Sequence, residues 1–192
     1  MNNLTEIRWH GRAGQGLVTA AKLLGETALG TGQYFQAFPD YGPERMGAPI
    51  RAYTRLSPEP IRIHSQIEHP DVVLVLDPTL LDLIDVTEGL RENGTILVNT
   101  SESPKALRTK LGLDGKPVRV FAVDASRIAI EAFGREITNT PMLGAFAKAT
   151  GIFPLESLVS DVRRQFGKKL RPEIVEANVK ALQQAYESVQ EG

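Results

Sequence analysis

The spacing of apolar positions changes period many times along this chain. Residues 4–9, LTEIRW, alternate apolar and polar as a half-buried strand does, and residues 17–29, LVTAAKLLGETAL, switch to helical spacing. Tyr34 to Phe38 reads as a second strand. PIRAYTRL (49–56) alternates cleanly, and EPIRIH (59–64) follows a proline-containing turn, so the two predict a hairpin. DVVLVLD (71–77) is apolar on both faces, the mark of a central parallel strand. Pro78, Thr79 and LLDLIDVTEGL then predict a helix. GTILVN (94–99) and VRVFAVD (118–124) are two more buried strands, leading into helices near Ser103 and Ala125. Beyond Thr140 the pattern is mostly helical. No repeat or low-complexity tract interrupts it. Strands that alternate with helices in this way predict an α/β fold: a single Rossmann-like domain over residues 1–192, with a mostly parallel sheet, helices on both faces and a helical C-terminal segment.

Composition narrows the function classes. The 192 residues can bury a real core. Lysine and arginine total 22 against 23 acidic residues, a net charge of -1, which argues against a general nucleic-acid binder. There is no cysteine, which excludes disulfides, thiolate nucleophiles, cysteine zinc sites and iron–sulfur clusters held by this chain. The start, MNNLTEIRWH, lacks the basic end and apolar run of a signal peptide. The longest apolar run, Val72 to Leu76, is strand-sized, far short of the ~20 residues of a membrane span. The expectation is a cytoplasmic chain with no membrane and no nucleic-acid partner.

Two glycine-bearing segments stand out. The first, Gly11–Arg12–Ala13–Gly14–Gln15–Gly16, lies between the first strand and the first helix. A helix start has N–H groups without intrahelical partners and a partial positive charge, and glycines let an anion approach the backbone. The spacing is G-x-x-G-x-G, however. It is neither the G-x-G-x-x-G dinucleotide fingerprint nor a Walker loop, and no ribose-binding acid is cleanly placed after the second strand. Phosphate binding and a tight, ligand-free turn both remain open on this segment alone.

The second segment, FPDYGPERMGA (38–48), carries two prolines, two glycines and the adjacent Glu44–Arg45 pair between two predicted strands. Loops after strand carboxyl ends surround the ligand crevice of a parallel sheet, so both segments are candidates for one sheet edge. A solvated connection is the alternative. His10, His64 and His69 have no metal-ligand spacing and read as packing or surface residues. Asp77 and Asp124, at strand ends, read as helix N-caps rather than acid–base catalysts. No Ser–His–Asp order and no paired-carboxylate motif is present.

Four blocks in order now carry a resemblance. EIRWHGRAGQG before an alanine-rich helix, QAFPDYGPERMGAPIRAYTRLSPEPIR, HPDVVLVLD and NTPMLGAFAKATG together resemble the gamma subunit of 2-oxoacid:ferredoxin oxidoreductases, most of all that of the pyruvate enzymes. The likeness runs from about Glu6 to Tyr186. It implies a share in oxidative decarboxylation of a 2-oxoacid to an acyl-CoA, with thiamine diphosphate and iron–sulfur clusters passing electrons to ferredoxin. It places thiamine diphosphate with Mg2+ on alpha and beta subunits, and 4Fe-4S clusters on a delta subunit. This chain would bind no cofactor or metal alone and supply no catalytic residue, but would meet coenzyme A at its surface.

By the same resemblance, Gly11, Arg12, Ala13, Gly14, Gln15, Gly16, Glu44 and Arg45 are candidate coenzyme A contacts. Tyr41, Gly42, Pro43, Met46 and Gly47 would face the active-site entrance. The family's fused members carry two adjacent lysines where this chain has Glu44 and Arg45. Enzymes acting on 2-oxoglutarate, branched-chain oxoacids, indolepyruvate or aryl glyoxylates share the architecture. Two other readings stay in play: an independent nucleotide-binding oxidoreductase with a variant loop, and a pure assembly module.

Overall fold

The computed structural model describes residues 4–40 and 48–192. Its order is β1 (Thr5–Arg12), α1 (Leu17–Gly30), β2 (Tyr34–Asp40), β3 (Pro49–Ser57), β4 (Val72–Val75), a 3-10 helix (Pro78–Asp82), β5 (Thr95–Asn99), α2 (Pro104–Lys110), β6 (Arg119–Val123), α3 (Ala125–Phe133), α4 (Asn139–Thr150), α5 (Leu155–Phe166), α6 (Pro172–Ser188) and β7 (Gln190–Glu191). One sheet of seven strands runs β2-β3-β1-β4-β5-β6-β7. The β1-β4-β5-β6 run is parallel, while β3 pairs antiparallel with both β1 and β2. β2 therefore points the same way as β1, and only β3 and β7 are reversed. The sheet is mostly parallel, as the apolar strands predict.

Both faces are covered, unequally. Ile7 and Trp9 of β1, Leu74 of β4, Leu97 of β5 and Phe121 of β6 pack under α1 and α3 to α6. The alternate positions, Val73, Val75, Ile96, Val98 and Val120, meet Leu80 of the 3-10 helix and Leu107 of α2. Two-sided burial is what makes these strands read as unbroken apolar runs. Trp9 is fully buried and its indole N–H donates to Thr54 Oγ1 at 3.1 Å, so the large ring costs no orphaned donor.

Two predicted elements take another form. EPIRIH forms no strand, because both flanks of β3 are already occupied, by β2 and β1. Pro60 could not donate to a ladder in any case. The helix expected from Pro78 onward is a single 3-10 turn. Asp77 starts it by accepting from Thr79 N, as a cap should. Farther on, the Arg8 guanidinium takes the carbonyls of Val86 and Glu88, and Asp85 accepts from Thr87 N. Those bonds hold the segment in a non-helical path.

Candidate functional site at the sheet's switch point

The chain leaves β1 through α1 toward β2 and later returns to β1's other side as β4. A crevice at the carboxyl ends of such diverging strands is the usual ligand position in open α/β sheets. Here the turns at that position are the glycine turn after β1 and the Asp77–Thr79 turn after β4. α1 begins at Leu17, with Gly16 as its N-cap in the left-handed region (φ 74°) and no side-chain cap. Among the described residues no side chain accepts from the first-turn N–H groups of this 14-residue helix.

Side chains bridge the crevice. Arg12 Nε donates to Asp77 Oδ2 at 3.0 Å and Arg12 Nη2 to Thr79 Oγ1 at 2.8 Å. Gln15 locks the turn from inside: its Oε1 accepts from Arg12 N at 2.8 Å and its Nε2 donates to Asp77 Oδ2 at 3.0 Å. Burial pushes the Asp77 carboxyl upward. Hydrogen bonds from the Thr79 hydroxyl and N–H and from Gln15, with the Arg12 charge, outweigh it and hold the pKa below the usual value. Asp77 is therefore an ionised brace, which suits a cap and not a proton donor. The Arg12 side chain is 26% exposed.

The three glycines do different work. A Cβ on Gly16 would lie 2.6 Å from Asn139 Nδ2, so this glycine lets the head of α1 meet the head of α4. A Cβ on Gly11 would press on Gln15 Oε1 and Leu17, at 3.0 and 3.2 Å. Gly14, at φ +92°, has nothing within 4 Å of its would-be Cβ. Among the described residues only Gly14 of the three has no close neighbour, while Gly11 and Gly16 are close-packing glycines. Asn139 was given no role by the sequence, although the Asn-Thr-Pro start of α4 marks a helix head. Its Oδ1 accepts from Thr140 N, and among the described residues the buried Thr138 hydroxyl has no partner.

Other candidates fall in two groups. Asp124 caps α3 by accepting from Arg127 N at 2.9 Å, as expected of it. Asn99, at the end of β5, bridges Leu76 O and the Ser126 hydroxyl and so ties neighbouring strand ends together. Tyr41, Gly42, Pro43, Glu44, Arg45, Met46 and Gly47 lie outside the described residues. The strand ends that flank them, Asp40 and Pro49, sit at the same carboxyl edge as the glycine turn, since Pro49 pairs with Arg12.

His64 and His69 are exposed, His64 within reach of the Gln36 amide. His10 is not. On the face of the sheet opposite α1, β1 and β3 carry a buried polar layer of Glu6, Arg8, His10, Tyr53 and Arg55. Arg8 Nε donates to His10 Nε2, so the imidazole is neutral with its proton on Nδ1, which has no partner among the described residues. Burial, then the charges of Arg8 and Arg51, push its pKa down to about 3. Glu6 bonds both Arg55 and Arg91. This layer fastens loops 58–70 and 84–91 to the sheet. Among the described residues no group of three His, Cys, Asp or Glu could hold a metal ion, and no helix is long and apolar enough to cross a membrane.

The chain matches the family described as "Pyruvate ferredoxin/flavodoxin oxidoreductase" over residues 6–188. It is 50% identical over 184 residues to the pyruvate synthase subunit PorC of Thermotoga maritima, covering 96% of this chain and 94% of that one. It is 49% identical over 187 residues to the pyruvate/ketoisovalerate oxidoreductases common subunit gamma of Pyrococcus abyssi, covering 97% and 98%. The crystal structure of pyruvate oxidoreductase subunit PORC from Thermotoga maritima aligns over 99% of both chains, with a TM-score of 0.86 and 43% identity.

Proposed function

The chain belongs to the pyruvate ferredoxin/flavodoxin oxidoreductase family, and from that premise we propose that it is the gamma subunit of a hetero-oligomeric enzyme converting a 2-oxoacid, foremost pyruvate, and coenzyme A to acyl-CoA and CO2. The chain forms one gamma-type domain over residues 1–192 of a cytoplasmic complex. Alpha, beta and delta subunits hold the thiamine diphosphate, Mg2+ and iron–sulfur clusters, and ferredoxin takes the electrons. This chain's part is to present the glycine turn to coenzyme A.

The observation that carries the coenzyme reading is Gly14, which among the described residues has nothing within 4 Å of its would-be Cβ, just before the head of α1 at the sheet's switch point. An anionic group entering there meets first-turn N–H groups, and the Arg12 guanidinium stands beside it. The coenzyme's phosphates supply such a group. Asp77 and Thr79 orient the Arg12 side chain for this contact and keep it from having to be ordered on binding.

The test is Arg12→Ala in the assembled complex, with kinetics for both substrates. Losing a charge-assisted contact of roughly 1.5–3 kcal/mol corresponds to about tenfold to hundredfold weaker coenzyme binding. The expected result is a Michaelis constant for coenzyme A raised by that factor, with the oxoacid's nearly unchanged. An unchanged constant in a normally assembled complex would make the turn structural. Gly16→Val is a poor probe, because its side chain would strike Asn139 inside the protein.

A further inference from the structure

A groove of about 470 Å³ opens where the end of α3, the heads of α4 and α6 and the end of α5 meet. Its walls are Phe133, Ile137, Phe166, Leu170 and Ile174. Three of them are large aliphatics left in water: Ile137 is 40% exposed, Leu170 41% and Ile174 46%. Singly such residues mean little, but three converging on one groove form a patch of the kind that marks an interaction site.

The rim is basic. Arg135 lines the groove, and Lys168, Lys169 and Arg171 flank Leu170 in the α5–α6 connection; all four are exposed. None of the four makes an ion pair or side-chain hydrogen bond among the described residues. By contrast, the nearby Arg163 and Arg164 are paired, with Glu176 and Asp161. In a chain of net charge -1, four unpaired cations around one apolar groove are a local excess over the neighbouring carboxylates Glu136 and Glu173.

We propose that this groove is a docking surface for an acidic segment of another subunit of the oxidoreductase, which seats apolar side chains between Ile137, Leu170 and Ile174 and sets carboxylates against the basic rim. The proposal rests on the reading of the chain as a subunit. An apolar centre inside a charged rim is the anatomy of a protein–protein contact. A small-ligand site needs fixed polar groups converging on its occupant, and here the Asn178 amide is spent inside at both ends and the Asn139 carbonyl on its own helix head. Asn178 accepts from Thr140 Oγ1 and donates to Ile174 O, and Asn139 Oδ1 accepts from Thr140 N. A second copy of this chain is disfavoured because a two-fold contact would set the basic rim against itself.

The experiment retains an affinity-tagged complex of the remaining subunits and measures how much of this chain stays with it. The variants are Lys168→Glu/Lys169→Glu/Arg171→Glu and Leu170→Ser/Ile174→Ser, with a thermal melt of each isolated chain. All five positions are exposed, so the melts should match wild type. The expected result is association at least tenfold weaker for both variants, with wild-type retention falling as salt rises. Wild-type retention of both variants at every salt concentration overturns the proposal. So does normal retention with a raised Michaelis constant for coenzyme A, which would give the groove to the coenzyme. Altered self-association of the isolated chain with the complex intact would give it to a second copy, and overturns the proposal too. If wild-type chain itself is not retained, the subunit reading fails with it; indifferent variants beside a retained wild type sink the groove alone.

Discussion

His10 shows how much a single position can commit the fold. Its Nε2 must accept from a guanidinium that has no acceptor of its own, so the ring can serve Arg8 only while neutral. The unfolded chain has an ordinary imidazole near 6.5, and the folded value is about 3. A depressed folded pKa contributes stability that is fully present above 6.5 and is lost as pH falls toward 3, because only the unfolded chain takes up the proton. The slope from this one group is up to about 1.4 kcal/mol per pH unit. His10→Gln should be less stable than wild type at pH 7.5, with the gap narrowing by roughly 2 kcal/mol by pH 5. Denaturant melts at both pH values check it, and a constant gap would show that His10 titrates normally in the folded protein. Asp77 and Asp85, both held below the usual carboxylate range, lose their stabilisation at lower pH and do so in both proteins alike.

At the scale of elements, α4 and α6 cross where Gly144 lies against the backbone of Leu182. A Cβ there would run into the Leu182 carbonyl, a group that cannot rotate away. Gly144→Ala should therefore cost about 3 kcal/mol and lower the melting temperature by roughly 6–12 °C. Gly30→Ala, whose new atom would meet nothing nearer than Asp161 Oδ2 at 4.0 Å, should be neutral or slightly stabilising. Equal melts for the two variants would mean the helices slide apart freely.

Which elements could be read from the sequence follows the same division between local and distant causes. Strands β4, β5 and β6 and the helices after Thr140 were legible, because burial on two faces or on one stripe writes a local period. Residues 59–64 and 78–91 were not, because their fate was settled elsewhere: by β1 filling the flank of β3, and by Arg8 drawing two carbonyls out of a would-be helix. The glycine turn was visible as a cluster. That Gly16 packs on Asn139 while Gly14 stays open required α4, more than 120 positions away, to be in place.

At the scale of the whole molecule the question is how much of a redox reaction this chain can perform by itself. Oxidising a 2-oxoacid releases electrons that need a carrier, and iron–sulfur clusters, the carriers proposed above for partner subunits, are held by cysteine thiolates. This chain has no cysteine. Among the described residues, the carboxylates at the switch point are committed to the fold: Asp77 to Arg12, Gln15 and Thr79, and Asp124 to the head of α3. Its buried histidine is tied to Arg8. None of these is placed as a nucleophile with an adjacent base. The purified chain, supplied with pyruvate, coenzyme A, thiamine diphosphate, Mg2+ and a viologen dye, should therefore leave the dye oxidised and carry no visible absorbance of its own. Adding the remaining subunits should restore reduction, with a rate that saturates as this chain reaches its stoichiometric share. Dye reduction by the single chain at a rate proportional to its concentration would overturn that view. It would place a complete reaction centre in a protein whose described carboxylates at the switch point are committed to holding its turns and helix heads.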